Sequence, residues 1–512
     1  MQGWAKALMA GLACGAAACT SLPPPGPAPD LVELAERPLE DRCAGAFQLA
    51  DHHIATAGVR DAEAVRVPGH RYLRADRFLA SFRDVPLDEA GHRDWVGEMR
   101  RLDREGRAVE TANLPQAQRS ALTDGLRRLE LDGSPEAVFE RCGTLLAEAT
   151  LADPAAVAAL RARVDVPDNY STARRIFGLY PLTAVGAVTG YDVWKRENLA
   201  VFDMDPEGIP VSGEITAYGP DDAAPDAAEG RRLVSGAPRN GLGMPIFSAE
   251  ERAQLFALHA PVFQIDVTGD FDRPGRPYLA GNNGRLFPAV ATEAAEVYGR
   301  LAYTRFQGKV LVQLAYTVWF AERPADGVFD ILSGRLDGLT WRVTLAADGT
   351  PLVYDSIHPC GCYHMFFPVP PTVRRPMPED DDAREAALVP AEAPQLDPGD
   401  RIVVRLASRS HYIQAVGKTA ANAPVEGRYR LVLPVEPDGP LRMLALPDGS
   451  GTRSLYDETG LVPGTERAER WLLWPMGIDS AGAMRQWGTH ATAFVGRRHF
   501  DDQDLLDRAF SR

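Results

Sequence analysis

Two hydrophobic periods run along this chain, and they divide it near residue 167. Up to that point apolar residues recur every three to four positions, the spacing of a helix with one buried face. The segment "SPEAVFERCGTLLAEAT" shows the grammar. Ser134 is suited to cap, Pro135 to the first helical position and Glu136 to the positive helix end. Val138, Cys142, Leu145 and Leu146 then share a stripe. Beyond residue 167 the runs become β-branched and aromatic. "KVLVQLAYTVWF" reads as a buried strand. "LTWRVTLAADGTPLVYDSIH" reads as a hairpin around Asp348-Gly349, residues that tolerate the left-handed backbone of a tight turn. "FSAEERAQLFALH" opens with Ser248 and Glu251 in capping-box spacing.

The pattern predicts an α+β protein: an N-terminal helical domain over 37–166, then a larger, mainly antiparallel, sandwich-like β-rich domain over 167–371. Residues 372–398 are rich in proline and acids and read as a solvated connector. Strand runs resume after it, so 399–512 is expected to complete the second domain.

Composition sharpens this picture at the N-terminus. Lys6 is followed by an apolar run of small residues that is too short to span a bilayer, and the Pro-rich "TSLPPPGPAPD" comes next. This predicts a signal peptide over 1–18 and a linker over 19–36. The run ends in "AAAC", similar to the lipobox of bacterial lipoproteins, in which the cysteine is acylated and begins the mature chain. Cys19 is the expected acylation site, with Cys14 as its rival. Thr20 is not the aspartate that retains such proteins in the inner membrane, so the resemblance implies the periplasmic face of the outer membrane, with the bilayer as a partner through the anchor. A net charge of −15 excludes a basic nucleic-acid footprint. In an oxidising compartment Cys43 and Cys142 are expected to form one disulfide.

Candidate chemistry concentrates in "VYDSIHPCGCYHMFFP". His358, Cys360, Cys362 and His364 alternate, and in a straight strand their ends would stand ~20 Å apart, beyond the reach of metal bonds of ~2.0–2.3 Å. Only a bend at Pro359–Gly361 would gather them. Three readings follow: a zinc or copper site, a Cys-Gly-Cys disulfide with a redox role, or a structural cluster of thiols or a bridge under aromatic residues. His411 and His490 are the distant histidines expected to join, ahead of His259 and His499. Tyr354, Ser356 and Asp355 are candidate partners that would orient a histidine, and alternation favours Tyr354. Asp266, Asp270 and Asp272 read as an acidic turn. "RYLRADRFLASF" suggests buried ion pairs at Arg74, Asp76 and Arg77. Arg485, Trp487, Arg497 and Arg498 suit either recognition of sugar or phosphate, as arginine beside tryptophan can provide, or a packed, ion-paired C-terminal region, which is the favoured reading.

"LDGLTWRVTL", "YDSIHPCGCYHMFFP" and "LLWPMGIDSAGAMRQWG" together resemble a family of uncharacterised predicted lipoproteins of Gram-negative bacteria. That resemblance implies no activity. Trp341 and Ser356-Ile357-His358 are also similar to the strand and strand end of necrosis-inducing-protein and vacuolar-sorting-protein sandwich folds. The similarity implies a β-sandwich and carries no ligands across, because "DGLTWR" replaces their glycine–aspartate–tryptophan–glutamate core. Two functions remain open at this level. One is a metal-dependent periplasmic hydrolase built on the Cys/His row; the other is a non-enzymatic envelope scaffold, with a protein or small-molecule partner, in which the row is structural.

Overall fold

The computed structural model describes residues 26–512, apart from 222–226, 328–329, 377–385, 434–439 and 493–496. Cys14, Cys19 and the middle of the connector lie outside the described residues.

The chain is α+β: helices come first and a large sheet follows. Helices α1 (Leu39–Ala57), α2 (Glu89–Ala112), α3 (Gln116–Arg128) and α4 (Pro135–Ala152) pack around a short hairpin of β1 (Val65–Val67) and β2 (His70–Ala75). Ser134 caps α4 as expected, accepting from the Ala137 amide. Phe47, Leu49 and Ile54 of α1 meet Val138, Phe139 and Cys142 of α4 in one core. Cys43 and Cys142 are disulfide-bonded across it, joining positions 99 residues apart. Among the described residues no single helix is long and apolar enough to cross a membrane.

This core also holds charge. Arg74 is fully buried between Asp103 (3.1 Å) and Glu110 (2.6 Å). Arg107 bonds Asp103 at 2.7 Å and Asp51 at 3.0 Å. Arg74 therefore pairs within the helical part. Arg77 reaches out of it, donating to Asn169 at 2.9 Å.

The later chain builds one mixed sheet of ten strands. They are β3 (Glu214–Pro220), β4 (Val262–Val267), β7 (Ala295–Phe306), β8 (Lys309–Arg323), β9 (Gly334–Leu345), β10 (Pro351–Ile357), β11 (Met365–Pro368), β13 (Asp400–Leu406), β14 (Ile413–Ala420) and β15 (Gly427–Val432). Two more pairs stand apart from it. β5 (Arg276–Asn282) pairs with β6 (Arg285–Ala291), and β12 (Val373–Arg374) with the C-terminal Phe510–Ser511. The order across the sheet is β11-β10-β9-β8-β7-β15-β3-β4-β13-β14. Strands from both sides of the connector thus belong to one sheet. β7 through β11 form an antiparallel meander, which short turns allow. The β9–β10 turn places Gly349 at φ 80°, as the Asp-Gly signal implied. Helix α5 (Ala249–His259), opened by the Ser248/Glu251 capping box, lies against the sheet through Leu255 and Phe256.

Candidate functional site

The "HPCGC" segment does turn back on itself. The Gly361 amide donates to the His358 carbonyl at 2.8 Å, and the His358 amide to the Cys362 carbonyl at 3.0 Å. Gly361 takes φ 89°, where a side chain would be strained, and a Cβ there would stand 2.5 Å from the Ala491 carbonyl oxygen. The glycine both makes the turn and lets the 485–491 segment close over it. Arg485 fixes that closure, donating to the Cys360 carbonyl at 3.3 Å.

The bend does not gather the four side chains. Register decides this: Ser356 of β10 lies opposite Met365 of β11, and Tyr354 opposite Phe367. Even positions on one strand therefore share a face with odd positions on the other. His358 and His364, both even, emerge on opposite sides of the sheet.

On one side His364 Nε2 lies 2.8 Å from Asp355 Oδ2, and Asp355 is held by both arms of Arg342 at 2.9 and 2.5 Å. Arg342 is itself a strand residue, registered opposite Asp355, so the pair is set by β9–β10 pairing. Burial holds His364 down to about 4, despite the carboxylate, so the ring is neutral at pH 7. Asp355 is the partner of His364. Tyr354, favoured from alternation, instead stacks on Trp341 with centroids 5.4 Å apart. Ser356 is fully buried, and its hydroxyl has no partner among the described residues.

On the other side His358 Nδ1 lies 3.5 Å from Asp337, close enough for charge attraction but too long for a well-formed hydrogen bond. Asp337 binds His411 Nδ1 at 2.8 Å and Arg467 at 3.1 Å. His411 Nε2 in turn lies 3.4 Å from Asp272. Burial alone would neutralise His411, but the two aspartates outweigh it and raise its pKa. Burial likewise opposes ionisation of Asp337, yet Arg467 and His411 hold it well below the usual carboxylate range. The result is an alternating chain of buried charges, Asp272, His411, Asp337 and Arg467. His358 stays neutral, pushed down by burial.

Cys360 and Cys362 are free thiols in a buried apolar cluster with Trp319, Leu336 and Met484. Each thiol shifts the other, so that Cys360 lies below and Cys362 well above the usual thiol range, with burial adding to the rise of Cys362. His490 does not join the cluster; it packs edge-on against Phe500.

His358, Cys360, Cys362 and His364 are only 1–4% exposed. Among the described residues no three or more His, Cys, Asp and Glu side chains assemble into a set able to hold a metal ion. The donor chemistry explains why these four do not fit one zinc or copper ion. Two donors face opposite ways, and His364 is occupied by Asp355. His358 is the exception, since neither ring nitrogen has a hydrogen-bond partner.

Asp337, Asp272, Arg342 and Arg467 escaped the sequence reading as members of this site. A signal existed for two of them: Asp337 and Arg342 are charges inside "GRLDGLTWRVTL", a strand otherwise buried nearly throughout. Asp272 belongs to the predicted acidic turn, but it points inward. It accepts from Thr268, Ser408 and the Arg409 amide, besides facing His411. No protein-family model, no curated protein and no solved structure matches the chain.

Proposed function

We propose that this chain is a lipid-anchored protein of the cell envelope, held at the periplasmic face of the outer membrane, and that its Cys/His row staples the fold. The row performs no catalysis in this reading. The observation that supports it is the partnering of the row. His364 is tied to Asp355 and the turn's carbonyl to Arg485, with all four side chains sealed from solvent. A hydrogen bond to a charged group contributes about 1.5–3 kcal/mol, so such ties suit a staple joining β9–β11 to the C-terminal segment.

Two experiments test the reading. Acyl labelling of the full chain should disappear in Cys19→Ala; persistence there with loss in Cys14→Ala moves the anchor, and labelling that survives both substitutions removes it. Metal analysis of purified protein should find substoichiometric zinc and copper. The second reading, a metal-dependent periplasmic hydrolase, draws on the unpartnered ring of His358. A stoichiometric metal lost in Cys360→Ser would establish that reading and sink the staple.

A further inference from the structure

Two cavities lie between the helical part and the sheet. The inner one, about 130 Å³, is bordered by β7 and β8, by Pro359 of the turn and by the 485–490 segment. The outer one, about 450 Å³, lies between α2, the 245–256 segment and β7. Glu63, Arg300, Arg442 and Trp487 line both, so the two spaces meet at these residues.

The charges of the inner cavity are already committed. Glu63 binds Arg300 at 2.7 Å and Arg442 at 3.2 Å, and Arg442 also binds Asp61 at 3.2 Å. Burial would favour a protonated Glu63, but the two arginines hold it down at about 2. Arg485 spends its guanidinium on backbone carbonyls of Cys360, Asp479 and Ser480. An ionic ligand would have to break these pairs.

What remains uncommitted in the inner cavity is uncharged, apart from the Arg300 Nε. The Tyr456 hydroxyl and the His490 ring have no hydrogen-bond partner in the protein among the described residues, and neither is sealed off as an orphaned buried atom. His490 is 5% exposed, and burial beside Arg485 keeps it neutral, at about 3. A neutral imidazole offers one donor and one acceptor, and a phenol offers both. Trp487 adds an indole already backed by Arg300 at 4.9 Å. Donors and acceptors beside an aromatic plate, with the charges self-neutralised, suit a ligand that is uncharged, hydroxyl-rich and flat on one side.

We propose that these joined cavities are a binding site for a neutral saccharide. One sugar ring sits where the inner space opens into the outer cleft, and further units lie in the outer cleft. Tyr456 and His490 bond its hydroxyls, and Trp487 covers its apolar face. The site borders the Cys/His staple through Pro359 and Arg485, while the groups that would meet the sugar are separate from the staple and the anchor.

The test is saturation-transfer NMR of the full chain with glucose, N-acetylglucosamine, maltose and chitobiose at millimolar concentration. Glucuronate and inorganic phosphate serve as charged comparators. At least one neutral sugar should show transfer, with binding weakened fivefold or more in Trp487→Ala and in His490→Asn. Tyr456→Phe, which removes a single oxygen, should weaken it about threefold without moving the melting temperature. Three results overturn the proposal: no transfer from any sugar, transfer unchanged in both Tyr456→Phe and His490→Asn, or a stronger response to glucuronate or phosphate.

Discussion

The two cysteine pairs differ in what they join. Cys43 and Cys142 stand 99 residues apart and are covalently linked through the helical core. Cys360 and Cys362 stand two apart in a turn, as buried free thiols. A cross-link between distant positions removes much of the freedom of the unfolded chain, and one between near neighbours removes little. The helical part is stapled by a bond. The sheet end is stapled by buried charges: an aspartate with two cations on one face, and an arginine–aspartate–histidine set on the other.

That comparison has measurable edges. Cys43→Ala should cost about 4.7 kcal/mol, the loop-closure value for a link of this length, read as a lower urea midpoint. A loss below about 1 kcal/mol would show that the helical core holds without its bond. Asp337→Ala should cost about 3 kcal/mol, the low end for an uncompensated buried charge because His411 is able to shed its proton, also read from urea unfolding.

The two faces should then respond oppositely to pH. His364 is held at about 4 in the fold, against an ordinary value of 6.5. Its unfolded form binds a proton that the native form refuses, so stability falls as pH drops below about 6.5. Between pH 6.5 and 5 the loss should be about 2 kcal/mol. His411 is raised, so its contribution is present at low pH and is lost as pH rises through its elevated value. Melting temperatures of His364→Gln and His411→Gln against pH should flatten opposite limbs of the profile; parallel profiles would break the distinction. Cys360→Ala should matter least, about 1 kcal/mol, since it removes a single sulfur from an apolar cluster.

Much of this fold was legible in local pattern. The caps at Ser134 and Ser248, the Asp348-Gly349 turn, the buried strand at Lys309–Arg323 and the Cys43–Cys142 bond each rest on chemistry within a few residues or on the pairing of two cysteines. The Cys/His row was legible as a feature, and so was its dependence on a bend at Pro359–Gly361. Its partners were not. Asp337, His411 and Asp272 come from three separate segments, and nothing in their neighbours says that they meet.

The sequence alone thus settled the elements, because helical period, strand period and turn chemistry act over short range. It also settled that a straight "HPCGCYH" strand cannot be one site, since spacing along a strand is fixed by bond geometry. Only the tertiary structure decided which face each histidine occupies. That follows from pairing Ser356 with Met365, and a slip of one residue would have exchanged the faces. The folded chain likewise decided that Asp355, not Tyr354, holds His364, and that the open space lies beside the turn, against Pro359, Trp487 and His490.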